Sequence, residues 1–431
     1  MARTVAAGAE RFETYLERLA QAVGHADRAG PLRAYMTGLL LPGERKSIEP
    51  MAAKIDPRGV RARHQSMHHF VATAPWDEGA VRRVARDYAL AQMERHAPIA
   101  AWVVDDTGIP KKGRHSVGVA RQYCGVLGKQ ENCQVAVSVS LVNATMSIPG
   151  AYQLYLPEAW AADRRRRRDA GIPREVRFQP KWEIALDEID ALRADDLPRA
   201  PVVADAGYGV VTKFRDGLTA RGLSYVVGVS GDTSVWPAGR GPILPTGRST
   251  GGRPQTRLRR DARHRPLAVR ALAGTLEANA WQPVRWREGT RGTMVSRFAA
   301  VRVRPAHRDG TRTHPRPEEW LLIEWPKDEA EPRHYWLSTV PATATLEDLV
   351  RLAMVRWRIE RDYQELKDEI GLDHYEGRGW RGFHHHGALC VAAYAYLAAE
   401  RARLSPPAPL AFLRAAPVPK GFRARGAPRA S

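Results

Sequence analysis

The residues that could do chemistry in this chain are few and acidic. Two apolar runs end in aspartate. IAAWVVDDTG closes on Asp105, Asp106 and Thr107, and PVVADAGYG closes on Asp205 before glycines that permit a sharp turn. Runs of this kind read as buried strands, and an open sheet gathers its chemistry at the carboxyl ends of such strands. A third carboxylate, Glu360, lies in RWRIERDYQELKDEIG, where Ile359, Tyr363, Leu366 and Ile370 recur at steps of three and four. That spacing marks the buried face of a helix. Arg356, Glu360, Tyr363 and Lys367 fall at i, i+4, i+7 and i+11 and line one adjoining stripe. Acids converging from two strand ends and a helix make an oxygen-only ligand set, which selects Mg2+ or Mn2+ rather than zinc. Two such ions about 3.5–4 Å apart activate a hydroxyl nucleophile and stabilise the leaving oxygen in phosphoryl transfer. No covalent protein nucleophile is needed, in keeping with the lack of a Ser–His or Cys–His arrangement. Arg356 and Lys367 would grip phosphate on either side of Glu360; the competing reading makes them surface ion pairs that steady the helix.

The rest of the chain has to position these groups. With 431 residues there is room for two to four domains. Lys+Arg number 67 against 47 Asp+Glu, a net charge of +20, and Arg dominates the excess. A guanidinium fork suits phosphate oxygens, so a polyanionic partner is expected. Three cysteines without paired spacing exclude a disulfide framework or a zinc ribbon and fit a reducing cytoplasm. No run of about 18 apolar residues occurs, and MARTVAAGAERFETYL lacks a signal-type apolar core, so a soluble protein without a membrane segment is expected.

In chain order, residues 1–95 read as a helical N-terminal domain, a candidate DNA reader, with KIDPRGVRARHQSMHHFVATAPW both basic and aromatic. Residues 96–230 alternate strands and helices, the pattern of a mixed α/β sheet. Within them AADRRRRRDAGIPRE carries Arg164–Arg168, either a solvated face or a loop that tracks phosphate. Residues 231–340 open with a basic Gly/Pro-rich loop and continue in short β-like runs, LAVRAL among them, that read as a β-rich insertion. Residues 341–405 return to helix, with Thr343 or Thr345 as cap, and residues 406–431 form a basic Pro/Ala-rich tail. His384–His386 point three ways on a helix, which argues against zinc and for phosphate contact or plain exposure.

Three stretches carry a family resemblance: VVDDTGIPKKGRHSVGVARQYCG, KWEIALDEI followed by VVADAGYG, and RWRIERDYQELKDEIGLDHYEGRGWRGFHHH. They resemble the DDE transposases of bacterial insertion sequences, in particular the family numbered seven-hundred-and-one. The resemblance covers about residues 60 to 400. A signature of Tyr, two residues, Arg, three residues, Glu, six residues and Lys is matched by Arg356, Glu360 and Lys367, while Ala353 stands at the Tyr position and Tyr363 is the nearest substitute. The resemblance implies an RNase H-like mixed sheet with flanking helices, interrupted by a β-rich insertion and preceded by a helical N-terminal domain. It implies a bacterial cytoplasmic enzyme, nucleoid-associated, that uses two Mg2+ or Mn2+ ions to nick transposon ends and join the freed 3′-OH to target DNA. Double-stranded DNA is then the partner, bound by a homodimer. The catalytic acids would be Asp105, Asp205 and Glu360. An Asp-x-Thr pattern selects Asp105 with Thr107 and is preferred; an Asp adjacent to Thr selects Asp106, and the unused acid becomes a helper ligand. DNA contacts are expected from Arg356, Lys367, Tyr363, Lys111, Lys112, Arg164, Arg165, Arg166 and Arg378. The rival readings are a DNA-binding protein without catalysis and a stand-alone nuclease.

Overall fold

The computed structural model describes residues 2–245, 255–289 and 292–404; the basic tail and part of the Gly/Pro-rich loop lie outside the described residues. Five helices open the chain: α1 (Ala2–Ala22), α2 (Ala26–Leu40), α3 (Ile48–Ile55), α4 (Val60–Ala72) and α5 (Glu78–His96). Asp77 starts α5, its carboxylate accepting from the Gly79 backbone N–H at 2.8 Å, which satisfies one of the donors a helix start leaves open. Tyr15, Leu16 and Leu19 of α1, Leu32 and Tyr35 of α2 and Phe70 of α4 are buried in the same core as the sheet that follows.

That sheet begins with β1 (Ala101–Pro110), β2 (Ala120–Cys124), β3 (Lys129–Val142) and β4 (Ser147–Leu154). The next elements are α6 (Glu158–Ala162), α7 (Arg164–Asp169), α8 (Lys181–Ala194), β5 (Val202–Ala204), α9 (Ala206–Gly209), α10 (Thr212–Ala220) and β6 (Tyr225–Val229). β3 runs antiparallel to β1 and β4 antiparallel to β3, while β5 lies parallel to β1 and β6 parallel to β5. This is an RNase H-like mixed sheet. The arginine run is not a loop: Asp163 accepts from the backbone N–H groups of Arg165 and Arg166 and caps it as α7.

The β-rich segment extends the same sheet. β7 (Ser234–Pro237), β8 (Leu267–Ala268), α11 (Val269–Ala273), β9 (Gln282–Gly289), β10 (Gly292–Pro305), β11 (Glu319–Trp325) and β12 (His334–Ser338) follow one another. β12 pairs antiparallel with β6, which makes a single sheet of twelve strands. LAVRAL, expected as β, gives only the short β8 before turning into α11. The chain closes with α12 (Leu346–Met354), α13 (Trp357–Asp368) and α14 (Trp380–Leu404). Thr345 and Asp348 form a reciprocal capping box at the start of α12. The stretch expected as one helix from Thr345 onward breaks at Val355–Arg356, so Arg356 sits at a helix start rather than within one.

Each face of the central strands has its own cover. Ala101, Val103, Val203 and Val226 pack against Leu349, Val350, Ala353 and Ile359 of α12 and α13. Trp102, Val104, Val202 and Ala204 share a core with Ile184, Ala185 and Ile189 of α8 and with Phe214 and Leu218 of α10. Successive strand residues point to opposite faces, so this partition continues into whatever follows Val104 and Ala204. Ile359 is fully buried beside Glu360, and its truncation to Ala would cost about 2–5 kcal/mol and loosen the helix that carries the third acid.

Candidate active site on two neighbouring parallel strands

The β1–β5 register pairs Val104 with Ala204, so the next residues along, Asp105 and Asp205, stand side by side where β5 ends. Contrary to the expectation from sequence, the first apolar run does not close its strand at the acids: β1 continues through Asp105 and Asp106 to Pro110 because β3 goes on pairing with it. Both continue the Val103/Val203 face, the one covered by α13 with Glu360. Asp205 is held by its own turn: its Oδ1 accepts from the backbone N–H groups of Gly207 at 2.9 Å and Tyr208 at 3.3 Å and so caps α9. That turn lies flush on β6 because two glycines allow it. A Cβ on Gly209 would come 1.8 Å from the Gly228 carbonyl oxygen, and one on Gly228 would come 2.8 Å from the Ala206 nitrogen.

Arg356 joins the acids. Its Nη1 donates to Asp105 Oδ2 at 2.9 Å, and its Nη2 lies 2.7 Å from Glu360 Oε1. The Asp105 side chain is 15% exposed, and this partial burial pushes its carboxyl up to about 7; nearby Asp205 and Asp106 push the same way, against Arg356 and the Asp106 backbone N–H. Among the described residues, no three His, Cys, Asp or Glu side chains already close around one point. What does lie between the first and third acids is a cation, the guanidinium. Oxygen-only donors, a partly buried carboxyl crowded by like charge and a cation between them are the chemistry that a hard divalent ion would satisfy. A cavity of about 640 Å³ opens over the group, lined by Asp105, Asp205, Glu360, Tyr123, Lys181 and Lys367 among others.

Asp106 points elsewhere. It shares the α8 face, where its Oδ2 meets Lys181 Nζ and its Oδ1 accepts from the Tyr208 hydroxyl. Burial and the adjacent Asp106 push the Tyr208 phenol well up, so it stays a donor. Asp105 is thus the acid that Arg356 ties to Glu360, while Asp106, which lines the same cavity, is held by Lys181 and Tyr208. Lys181 and Tyr208 were not among the residues selected from sequence. Lys181 gave one signal: a lysine as the first residue of a helix opposes the macrodipole and so needs a local anionic partner.

The remaining candidates divide between interior and surface. Lys367 is buried, its Nζ donating to the Gly108 carbonyl at 3.0 Å, and burial lowers its pKa. Tyr363 is also buried and lines the inner part of the cavity. Lys111 donates to the carbonyls of Asp373 and Tyr375 at 3.2 and 2.8 Å. Arg166 lies 3.7 Å over the Trp160 ring and donates to the Arg114 carbonyl. Lys112, Arg164, Arg165 and Arg378 are exposed. Backbone bonds from Val117 to Arg378 and from Trp380 to Ala170 draw the loop after β1, α7 and the approach to α14 into one basic surface. His384–His386, expected at the surface or on phosphate, are buried and tied down. His384 contacts the Trp380 carbonyl, His385 lies between the carbonyls of Val71 and Trp76, and His386 meets the Tyr35 hydroxyl. Burial lowers all three to about 4. The three directions that argued against zinc all meet protein, because α14 is packed by the N-terminal helices and by β4.

Compared with known proteins, residues 18–293 match the family model of the DDE superfamily endonucleases. The match takes in Asp105 and Asp205 and stops before Glu360. The chain is also 35% identical over 166 residues to a probable transposase for insertion sequence element IS701 from Microchaete diplosiphon, an alignment covering 38% of this chain and 40% of that protein. Among the described residues no helix is long and apolar enough to cross a membrane. The family match spans more than half of the chain and contains the neighbouring aspartates of two parallel strands, Asp105 within β1 and Asp205 just after β5; this chain belongs to the DDE superfamily endonucleases.

Proposed function

We propose that this protein is a DNA transposase that cuts the ends of a mobile element and joins the freed 3′-OH to target DNA, with Asp105, Asp205 and Glu360 as its catalytic acids. The observation that carries this reading is the register that sets Asp105 beside Asp205 on the face where α13 presents Glu360. Mg2+ or Mn2+ held by these oxygens would supply the charge that activates the attacking hydroxyl and stabilises the leaving oxygen. Asp205, fixed by its cap, and Asp105, backed by the core, are rigid ligands; Glu360, 56% exposed, is the adjustable one. Arg356 neutralises Asp105 and Glu360 between substrates and then turns to the phosphate flanking the scissile bond. Asp106 acts as a brace: through Tyr208 and Lys181 it ties the middle of β1 to the turn that carries Asp205 and to α8.

Lys112, Arg164, Arg165 and Arg378 supply a sequence-independent grip on the duplex, and exposed Arg61, His68 and His69 of α4 extend it to the N-terminal helices. An element has two ends, so two copies of the chain act together on DNA in the bacterial cytoplasm. Asp205→Asn and Glu360→Gln test the assignment. Asn still caps a helix and Gln keeps the shape of an exposed side chain, so folding and DNA binding persist while cleavage is lost. Cleavage near the wild-type rate by either variant removes that residue from the site. Pre-cleaved ends that are never joined to target DNA would favour a stand-alone nuclease.

A further inference from the structure

We infer that the tip of the β2–β3 hairpin is a base-stacking platform that holds an unpaired nucleotide of the DNA beside the acids, an inference that rests on the transposase reading. Among the described residues nine large apolar side chains are exposed, and three of them, Tyr123 (62%), Val126 (59%) and Leu127 (42%), fall within five residues at this tip. Isolated exposed apolar groups are ordinary, but a cluster marks a contact. The tip is no accident of a loose loop. β2 and β3 pair in register from Ala120 opposite Cys133 to Cys124 opposite Lys129, and the turn closes through Gly128 at a φ of 62°, a conformation suited to glycine.

The position of the tip identifies what it touches. Tyr123 and Val126 line the same cavity as Asp105, Asp205 and Glu360. A DNA strand whose phosphate reaches the acids must lay the attached sugar and base against these side chains. The cavity, about 640 Å³, is of a size that takes a nucleotide rather than a bare phosphate. Alternation along β2 puts Arg121 and Tyr123 on one face, and the register sets Gln130 directly opposite Tyr123. A flat ring flanked by a guanidinium and a carboxamide meets the needs of a base: a surface to stack on, a cation for the backbone and hydrogen bonds for an exposed edge. Bases inside a duplex hide their faces, so the platform serves a nucleotide that has left the stack at the site of cleavage.

The test compares two probes without divalent metal, a blunt duplex and the same duplex ending in a three-nucleotide unpaired fork, by fluorescence anisotropy with the full chain. Wild-type protein should prefer the fork by about tenfold. Tyr123→Ala should lose that preference, while Tyr123→Phe, which keeps the ring, should retain it. Equal affinity of wild type for both probes overturns the proposal, as does a fork preference that survives Tyr123→Ala. Tyr123→Ala with its fork preference intact but an altered mass in solution would mark the tip as a protein contact and overturn it equally. Failure to bind either probe strikes the transposase reading as a whole, which no outcome confined to Tyr123 does.

Discussion

Replacing Arg356 with Gln separates two roles that the site gives to one side chain. In the structure the guanidinium touches Asp105 at 2.9 Å and Glu360 at 2.7 Å. Two unit charges about 4 Å apart at an effective dielectric of about 20 attract by about 4 kcal/mol, an upper bound. The Arg356 side chain is 32% exposed, and solvent screening leaves about 1–3 kcal/mol, or one to two pKa units on Asp105. Asp105 already titrates at about 7, so the variant should carry it to about 8–9. Asp105 must be ionised to act as a ligand. Single-turnover cleavage at pH 7 should therefore fall roughly five- to fiftyfold and recover to within about twofold by pH 9. Arg356→Lys, which keeps the charge, should hold the acid limb near its wild-type position. A pure phosphate-positioning role would instead cost about a hundredfold at every pH. The assay is a cleavage-rate profile from pH 6 to 9.5 at sub-saturating Mg2+, where the proton competes with the ion for Asp105; an acid limb that stays put in Arg356→Gln refutes the coupling to Asp105.

Asp105 itself should be costly to the fold. Its pKa is raised from 3.8 to about 7, so the folded chain keeps a proton that the unfolded chain releases between those values. Stability therefore falls as pH rises through that window, and the full cost stands above it. Asp105→Asn should accordingly raise Tm relative to wild type more at pH 8 than at pH 5 in metal-free buffer, and an equal gain at both pH values would contradict the shift. Asp106→Asn and Tyr208→Phe should each slow cleavage several-fold without abolishing it, and the double variant should be no slower than the worse single, because both cut one tie; additive losses would separate the two residues. Affinity for duplex DNA should fall at least tenfold between 50 and 200 mM salt, and Arg164→Ala with Arg165→Ala should flatten that slope by about one for each phosphate released from the protein; an unchanged slope would clear α7 of a role in DNA binding.

Much of this was legible in the sequence, and the exceptions have physical causes. The two aspartates and the helical acid stand out because apolar runs seldom stop at a carboxylate, although β1 itself runs on past Asp105 to Pro110. Choosing between Asp105 and Asp106 was harder. β1 is buried on both faces, so Ala101–Val104 shows no polar alternation to reveal which parity faces α13. The arginine run stayed open between a solvated face and a phosphate-tracking loop because charge alone sets no backbone shape; Asp163, which caps it as a short helix, was the local signal. The histidines misled because exposure was inferred from polarity; the signal for burial was α14 itself, whose Ala, Val, Leu, Cys and Tyr lie on all sides of the helix. No residue at Val355–Arg356 signals the break between α12 and α13. Lys181 and Tyr208 meet Asp106 across 75 and 102 residues, a distance no local pattern encodes.

The central claim is that Asp105, Asp205 and Glu360 act together as a metal site, and counting the metal tests it most directly. Mn2+ bound to the protein should be titrated by electron paramagnetic resonance in the presence of a duplex carrying the end of the element. The wild-type chain should bind two ions, while Asp205→Asn and Glu360→Gln, with DNA binding intact, should each hold no more than one or bind with sharply reduced affinity. The same two ions at the same affinity in all three proteins would contradict the account.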